Sequence, residues 1–485
     1  MHSKFGIGVV VVIVLFSALF VISLGMENPS TDKNTSANMV KDTDPVIRID
    51  NDSEFDAAHG VRSGSGTLND PYIISDWVID AQGAGNAIYV GNTTKYFVIE
   101  NCTIYNATHH NNPYFYGGGI GLINVENATV RNNIIHNNSY NIYINSAENL
   151  VIFNNTLADS WWESISAYKS SHLTIKNNTL YRSIQGSIHL WDTTYAKLYS
   201  NEMHHGGVMM WGTQDSFMTH NIPLNNTVNG KPVYYYKNAD MNNIRVPLDA
   251  GQVILGNVKN MRIENLSFDY TSTSIEIGYS SDIKVRNNTV SHGWRGILFY
   301  HTDSSLIWNN TVSDSDRKGL YLFTSSNNKI DNNTISYSAW DGISLNSYSD
   351  ANTLTGNMLV HNRVYGIRIQ SGASNVIYNN SFYYNHYSGD TYSSSSVQAY
   401  DDSTHNEWSH NEKGNYWHDW ANNNNTNDQD PPYGIVDWPY KLDGSANAED
   451  PYPLTSGEPI PELSPVFVIF FVALAILLLV HRKRQ

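Results

Sequence analysis

The chain has 485 residues, with 29 Lys and Arg against 45 Asp and Glu, a formal net charge of −16 and a single cysteine. The acidic excess argues against a nucleic-acid partner, since such binding depends on basic surfaces. One cysteine, Cys102, excludes an internal disulfide framework and a cysteine-rich metal site. Charged residues make up only 15% of the chain, which argues against a charge-driven disordered chain, and the abundance of β-branched and aromatic residues disfavours a helical bundle.

Both ends of the chain carry a long apolar run. Residues 1–25 are basic at their start and then apolar, which predicts a signal peptide or an N-terminal anchor, followed by a disordered linker over 26–45. A Pro-rich stalk at 456–464 precedes the apolar residues 465–480, for which we expect a transmembrane helix. The basic tail 481–485 then predicts a cytoplasmic C-terminus. These features together indicate an extracytoplasmic protein anchored in the cell membrane by its C-terminal helix.

A short phrase, a small residue followed by apolar-x-apolar, recurs through residues 87–400 at spacings of mostly 22–24 residues. A gap of 45 residues between Gly207 and Gln252 equals two periods and predicts one degenerate turn. An NNT-apolar phrase and a third short apolar piece accompany most copies, which indicates three short strands per repeat. So short a unit cannot bury its own apolar side chains, so that repeats must stack with parallel pairing. The prediction is an all-β fold, a single right-handed parallel β-helix of about fourteen turns.

The repeat also predicts which side chains point inward. Two inward columns follow from the phrase, Ile142, Ile188, Ile275, Leu320, Ile343 and Ile367 in one and Ile144, Leu190, Ile277, Leu322, Leu345 and Ile369 in the other. The second Asn of each NNT phrase is expected to form a hydrogen-bonded ladder, at Asn155, Asn178, Asn288, Asn310, Asn333 and Asn380. Cys102 takes the place of a ladder Asn and is expected to be buried and inert. Residues 46–86 and 401–455 are predicted as N-terminal and C-terminal caps, because strand edges at both ends of a solenoid need cover.

Several stretches outside the repeat are more specific. They read GSG at 64–66, DPYII at 70–74, NTVNGKPVYY at 226–235, GNYW at 414–417 and DPYPL at 450–454. Together with the NNT phrases they resemble the archaeal branch of the NosD-like proteins, whose repeats are of the carbohydrate-binding/sugar-hydrolase (CASH) type with a pectin lyase-like fold. The resemblance implies an exported β-helix, and the family name implies periplasmic copper delivery. The Asn-rich and Asp-rich run at 422–430 resembles a degenerate calcium-binding segment, so the resemblance also implies calcium.

The outward positions of the first strand in each repeat define a candidate groove. Tyr168, Trp191 and Trp211 occupy one outward column on three consecutive turns, and Tyr300 follows further along. Aromatic faces about 5 Å apart along a rod can stack on successive sugar units. The alternative is that these rings only stabilise the sheet. The groove therefore predicts a protein that binds a glycan or another envelope polymer.

Ionisable side chains near the same column provide candidate catalytic residues, namely Glu163, His189 and Arg368. Polysaccharide lyases and epimerases need a base together with charge neutralisation, whereas glycoside hydrolases need two carboxylates about 5–9 Å apart. Glu163 and Asp341 are many turns apart and are not expected to form such a pair. We expect a non-catalytic binding protein, with a polysaccharide lyase, hydrolase or epimerase as the alternative.

A second alternative is an extracytoplasmic copper-binding protein. His204, His205 and Met209 offer imidazole and thioether ligands, which suit Cu(I). The competing interpretation is that the nearby methionines fill the core. Sixteen N-x-S/T sequons, among them Asn92 and Asn225, further predict a glycoprotein if the chain is exported.

Overall fold

The computed structural model describes residues 44–108, 117–421 and 434–457. Over these residues the chain forms a right-handed parallel β-helix of about 13 turns, which confirms the all-β solenoid. The described strands are numbered β1 to β42 in chain order. Within the described ranges, helix is confined to two single-turn α-helices, α1 (Asp215–Met218) and α2 (His418–Ala421), and the 3₁₀ segments Asp52–Glu54, Ala57–His59 and Asn385–Tyr387.

Three faces run along the solenoid. The first face consists of β1 (Ile47–Ile49), β4 (Asn86–Thr93), β7 (Gly118–Val125), β10 (Tyr140–Asn145), β13 (Glu163–Tyr168), β16 (Gly186–Trp191), β19 (Val208–Trp211), β24 (Thr273–Gly278), β27 (Arg295–Tyr300), β30 (Leu320–Phe323), β33 (Ile343–Asn346), β36 (Ile367–Gln370) and β39 (Ala399–Asp401). The second face consists of β2 (Tyr72–Ser75), β5 (Phe97–Glu100), β8 (Ala128–Arg131), β11 (Val151–Phe153), β14 (Thr174–Lys176), β17 (Lys197–Tyr199), β25 (Lys284–Arg286), β28 (Leu306–Trp308), β31 (Lys329–Asp331), β34 (Thr353–Thr355) and β37 (Val376–Tyr378).

The third face consists of β3 (Val78–Asp80), β6 (Thr103–Tyr105), β9 (Ile134–His136), β12 (Thr156–Ala158), β15 (Thr179–Tyr181), β18 (Glu202–His204), β20 (Thr227–Val228), β23 (Ser267–Asp269), β26 (Thr289–Ser291), β29 (Thr311–Ser313), β32 (Thr334–Ser336), β35 (Met358–Val360), β38 (Ser381–Tyr383) and β40 (Tyr416–Trp417). Two long strands, β21 (Lys231–Arg245) and β22 (Gln252–Glu264), each run along both the first and the second face. A short hairpin, β41 (Tyr440–Lys441) with β42 (Glu449–Asp450), lies near the end of the described chain.

The inward columns are confirmed by the strand register. Ile142 pairs with Ile165, which pairs in turn with Ile188, and Ile144 continues through Ala167 in the same way. All the predicted column residues are buried. Each turn therefore removes a few branched side chains from water, and stacking makes this burial continuous along the solenoid.

The asparagine ladder is also confirmed, as two runs on one corner. Asn310 shows the pattern: its Nδ2 donates to Asn333 Oδ1 at 2.9 Å and to the Val285 carbonyl at 3.0 Å. The runs comprise Asn133, Asn155, Asn178, Asn201 and Asn226, and then Asn288, Asn310, Asn333, Asn357, Asn380 and Asn415. Cys102 precedes the first run, where its backbone N–H donates to Asn133 Oδ1, and burial raises the pKa of its thiol to about 11. A thiol with so high a pKa forms little reactive thiolate near neutral pH.

Both ends of the solenoid are covered by chain that is outside the repeat. At the far end Trp417 is stacked between Phe382 and Tyr440, with ring centroids 4.1 and 4.0 Å away. At the near end Phe55, which lies between the two 3₁₀ segments Asp52–Glu54 and Ala57–His59, packs on Tyr72 and Phe97. Strands β1, β2 and β3 fall within the predicted N-terminal cap, and they already pair with the next turn.

The described residues contain no helix of the length and apolar character that a membrane crossing requires. The predicted segments at 1–25 and 465–480, and most of the stalk, lie outside those residues, as does the 422–430 run. Their assignments stay predictions.

The first face is interrupted once, between β19 and β24, at what we call the junction. In place of a following strand, side chains bond the backbone of β19. Gln252 accepts from the Val208 N–H at 2.9 Å and donates back to the Val208 carbonyl at 2.6 Å. Glu276 Oε1 accepts from the Met210 N–H at 2.8 Å.

The degenerate turn of the sequence is β21, which pairs with β22 and not with β19. Helix α1 lies beside it, and the Phe217 ring packs so closely that a Cβ at Gly278 would come within 2.2 Å of it. The solenoid thus consists of two stacks on its first face, joined by side chains.

Candidate functional site

A cleft of about 580 Å³ opens on the first face at the junction. One wall comes from turns before the junction and the other from turns after it. The first wall is formed by Tyr140, Tyr143, Trp162, Glu163, Ser166, Tyr168, Gln185, His189, Trp191, Met209 and Trp211, and the second by Arg295, Arg317, Lys318, Tyr321 and Trp340. Because the strands do not continue across the junction, side chains far apart in sequence face the same space.

The predicted aromatic column lies on the first wall. Tyr168, Trp191 and Trp211 are register partners on three successive turns, as expected. The Trp191 side chain is 45% exposed, and its ring meets that of Tyr168 edge-on, at 5.3 Å and 70°. The rings therefore offer both faces and edges to the cleft, not one flat platform.

Tyr300 differs from these three residues. It is buried, and its ring packs against Trp211 at 4.4 Å and Phe217 at 5.2 Å. Tyr300 does not line the cleft; it supports the Trp211 ring from beneath.

Glu163 and His189, two of the predicted catalytic candidates, lie together on the first wall. His189 Nδ1 is 2.9 Å from Glu163 Oε1, and both side chains are largely buried. A carboxylate that accepts from one imidazole nitrogen fixes the ring orientation and leaves the other nitrogen available. Met209, the register partner of His189, closes the floor beside this pair.

Arg368, the third catalytic candidate, is not in the cleft. It lies two turns beyond Tyr321, through the register Tyr321, Ser344 and Arg368, and its guanidinium stands 4.9 Å from the Tyr400 ring. Asp341 is fully buried near it, and desolvation raises the pKa of that carboxyl.

Three other cations line the cleft where Arg368 was expected, and the sequence analysis did not single them out as a group. Arg295 lies between Trp211 and Tyr321, with its guanidinium carbon 5.6 and 5.7 Å from the ring centroids. Arg317 and Lys318 stand beside it on the second wall. Burial, and secondarily the neighbouring arginines, lower the pKa of Lys318 to about 8 despite the opposing effect of Asp341. The sequence signal was present in the adjacent Arg317-Lys318 pair, but the repeat alone does not place it opposite His189.

The predicted copper ligands do not form one site. His204, the last residue of β18 on the third face, stacks on Tyr181 at 4.8 Å, and His205, which follows it, stacks on Tyr270 at 4.5 Å. Met209 belongs to the first face and is buried. Within 44–108, 117–421 and 434–457 no group of three or more His, Cys, Asp or Glu side chains is arranged to hold a metal ion. The residues present therefore do not fit copper at this place.

Two family descriptions match the chain. Residues 213–421 match "Periplasmic copper-binding protein (NosD)", and residues 69–228 match "Right handed beta helix region". The two matches overlap over 213–228, which is the beginning of the junction. No curated protein sequence matches the chain.

Solved structures resemble the chain in fold alone. DFA-IIIase from Arthrobacter chlorophenolicus A6 is 16% identical, with a TM-score of 0.19, and the match covers 63% of this chain and 59% of that enzyme. The A-module of the mannuronan C-5 epimerase AlgE4 from Azotobacter vinelandii is 12% identical over 69% of this chain and 89% of the module, with a TM-score of 0.24. PfbA, a surface adhesin of Streptococcus pneumoniae, is 11% identical over 64% and 82%, with a TM-score of 0.27.

Proposed function

Because the chain is a NosD-like right-handed parallel β-helix protein, we propose that it is a membrane-anchored cell-surface protein whose junction cleft binds a glycan of the cell envelope or its surroundings. A fold does not by itself define a function, so the proposal depends on the cleft. The apolar residues 465–480 with the basic tail behind them support the anchoring part.

The observation that carries the proposal is the number of tryptophans facing one cleft. Trp162, Trp191 and Trp340 are 36%, 45% and 40% exposed, and the Trp211 ring stacks on Tyr321 with centroids 6.4 Å apart. Exposed indole rings gathered at one place are unfavourable in water unless something covers them. Sugar rings present flat C–H faces and hydroxyl edges, which suit aromatic faces flanked by polar groups.

Retention of the purified full chain on immobilised polysaccharides tests this proposal. We expect Trp191→Ala to weaken retention at least tenfold, because it removes the most exposed ring of the column. Trp161→Ala is the matched control, since Trp161 is 68% exposed but does not line the cleft. Equal loss in both variants, or no retention by the unaltered chain on any polymer, would contradict the proposal.

A second candidate function, polysaccharide cleavage or epimerisation, is favoured by the Glu163–His189 pair. An oriented imidazole facing cations across a cleft is the arrangement that general acid–base chemistry on an acidic sugar requires. Analysis of polysaccharides after incubation distinguishes the two functions, with mass spectrometry for cleavage and proton NMR for epimerisation, which leaves the mass unchanged. Shortened, unsaturated or epimerised products that disappear with His189→Gln would establish an enzyme, and unchanged polymers would leave binding as the function.

A further inference from the structure

The three cations of the second wall are half-buried in one cleft, and none of them has an ion-pair partner among the described residues. Elsewhere in the described residues, arginines commonly bond a carboxylate, as Arg131 does with Glu100 and Arg182 with Asp159. None of Arg295, Arg317 and Lys318 has a carboxylate of the described residues within 4.0 Å. In a protein with a net charge of −16, three adjacent unpaired cations in a cleft need a physical account.

Aromatic rings, not carboxylates, hold these three side chains in place. The Arg317 guanidinium carbon lies 4.6 Å from the Trp294 ring and 4.0 Å from the Trp340 ring, so that the group lies against two indoles. Lys318 Nζ is 3.7 Å from the centroid of Tyr321, the ring that Arg295 also approaches. Cation–π contacts orient the cations while leaving their N–H groups free to donate elsewhere.

The carboxylates near the cleft cancel this charge only in part. Glu163 attracts Arg295 but bonds His189 and not the cation, and burial raises the pKa of Glu276 to about 8, so that Glu276 is mostly protonated at neutral pH. Asp341 attracts Lys318 electrostatically but is outside ion-pair distance of it. The three cations instead repel one another, since each neighbouring arginine disfavours the charged form of Lys318.

We propose that Arg295, Arg317 and Lys318 form an anion subsite that makes the junction cleft selective for acidic polysaccharides, carrying either carboxylate or sulfate groups. The inference rests on the proposed glycan-binding function and specifies its ligand class. Guanidinium groups bind such oxyanions with two parallel hydrogen bonds, and an incoming anion relieves the repulsion among the cations. The indoles then contact the sugar rings while the cations contact their acidic substituents.

Two pairs of polymers with matched backbones test the inference with the full chain. Polygalacturonate is compared with its methyl-esterified form, and dextran sulfate with dextran. We expect at least tenfold tighter binding to the acidic member of one pair, with an affinity that falls as salt is added. Preference within the first pair identifies carboxylate and preference within the second identifies sulfate.

Variants separate the subsite from the aromatic column. We expect Arg317→Gln to remove most of the preference for the acidic polymer while leaving the weaker binding of the neutral one. Lys318→Arg should keep the preference, and Lys329→Gln is the control, since Lys329 is a paired cation on the second face. Equal affinity for acidic and neutral polymers would overturn the inference and leave glycan binding intact. Absence of binding to all four polymers would overturn both. The comparison within each polymer pair needs no variant, so it stands if Arg317→Gln does not fold.

Discussion

Glu276 is a buried carboxyl that connects the two stacks of strands at the junction. Its Oε1 accepts the Met210 N–H, while Oε2 is buried without a partner in the described structure. Desolvation raises its pKa from 4.5 to about 8. A protonated carboxyl satisfies the β19 backbone without bringing a full negative charge into the core.

This shift predicts a pH-dependent stability. The folded chain holds the Glu276 proton more tightly than the unfolded chain, so the stabilisation is complete below about pH 4.5 and is lost as the pH rises through about 8. The slope from this group is at most about 1.4 kcal/mol per pH unit. We expect Glu276→Gln, which keeps an acceptor for Met210, to flatten the dependence. Urea unfolding at pH 5, 7 and 9 measures it, and an unchanged slope in the variant would show that Glu276 is not the titrating group.

Lys318 predicts a pH dependence of binding. With its pKa lowered to about 8, Lys318 loses its positive charge as the pH rises through that value. Affinity for an acidic polysaccharide should therefore fall severalfold between pH 7 and pH 9, whereas affinity for a neutral one should not. Lys318→Arg should abolish the fall, because a guanidinium stays charged. Titration calorimetry at the two pH values measures the change, and a fall that persists in the arginine variant would assign it to another group.

At the scale of the elements, the asparagine ladder connects successive turns of the solenoid. Asn310 bonds to the turn before it and the turn after it, accepting from Asn288 Nδ2 and donating to Asn333 Oδ1, both at 2.9 Å. Its side chain therefore connects three successive turns at a buried corner. Loss of one ladder residue leaves buried donors and acceptors on two neighbouring turns without partners.

We expect Asn310→Ala to lower the free energy of unfolding by about 2–5 kcal/mol, because buried polar groups are left unsatisfied. Thr311→Ala, one residue later and exposed, should cost about 0.5 kcal/mol or less. Denaturant unfolding of both variants measures the difference. Similar costs at the two positions would mean that the ladder adds little beyond the packing of the columns.

The strands and the inward columns could be predicted from the sequence because, in a solenoid, the register between neighbouring turns follows from the repeat length. Ile142 and Ile188 occupy equivalent places in repeats of fixed length, so their spacing alone aligns them in one column. The same regularity could not predict the second wall of the cleft. That wall depends on Gln252 and Glu276 bonding the backbone of β19 in place of a strand, and on Phe217 packing against Gly278. Such contacts occur where the repeat is broken, so the spacing of the repeats cannot predict them.

For the whole molecule, the far end depends on Asp450. Its Oδ2 accepts from the Asn415 N–H at 2.6 Å and from Trp417 Nε1 at 2.9 Å, which connects the last ladder residue to the covering chain. Strand edges that lose their cover can pair with another molecule.

Asp450→Ala should therefore loosen the cover and promote end-to-end association. We expect oligomers that increase with protein concentration in light scattering after size exclusion. Glu449→Ala is the control, because its neighbouring side chain is exposed on the same short strand. A variant that stays in the same state as the unaltered chain at every concentration would show that the aromatic stack at Trp417 suffices to close the end.

Solenoids change length by gaining or losing whole repeats, and each repeat contacts only its neighbours. A turn added before β10 or after β33 would extend one arm without copying the cleft or displacing its walls, because both walls lie between these strands. Relatives of different length could thus hold the same cleft at different positions along the solenoid. The length of the solenoid and the residues of its cleft can change independently, because the cleft lies where two stacks meet.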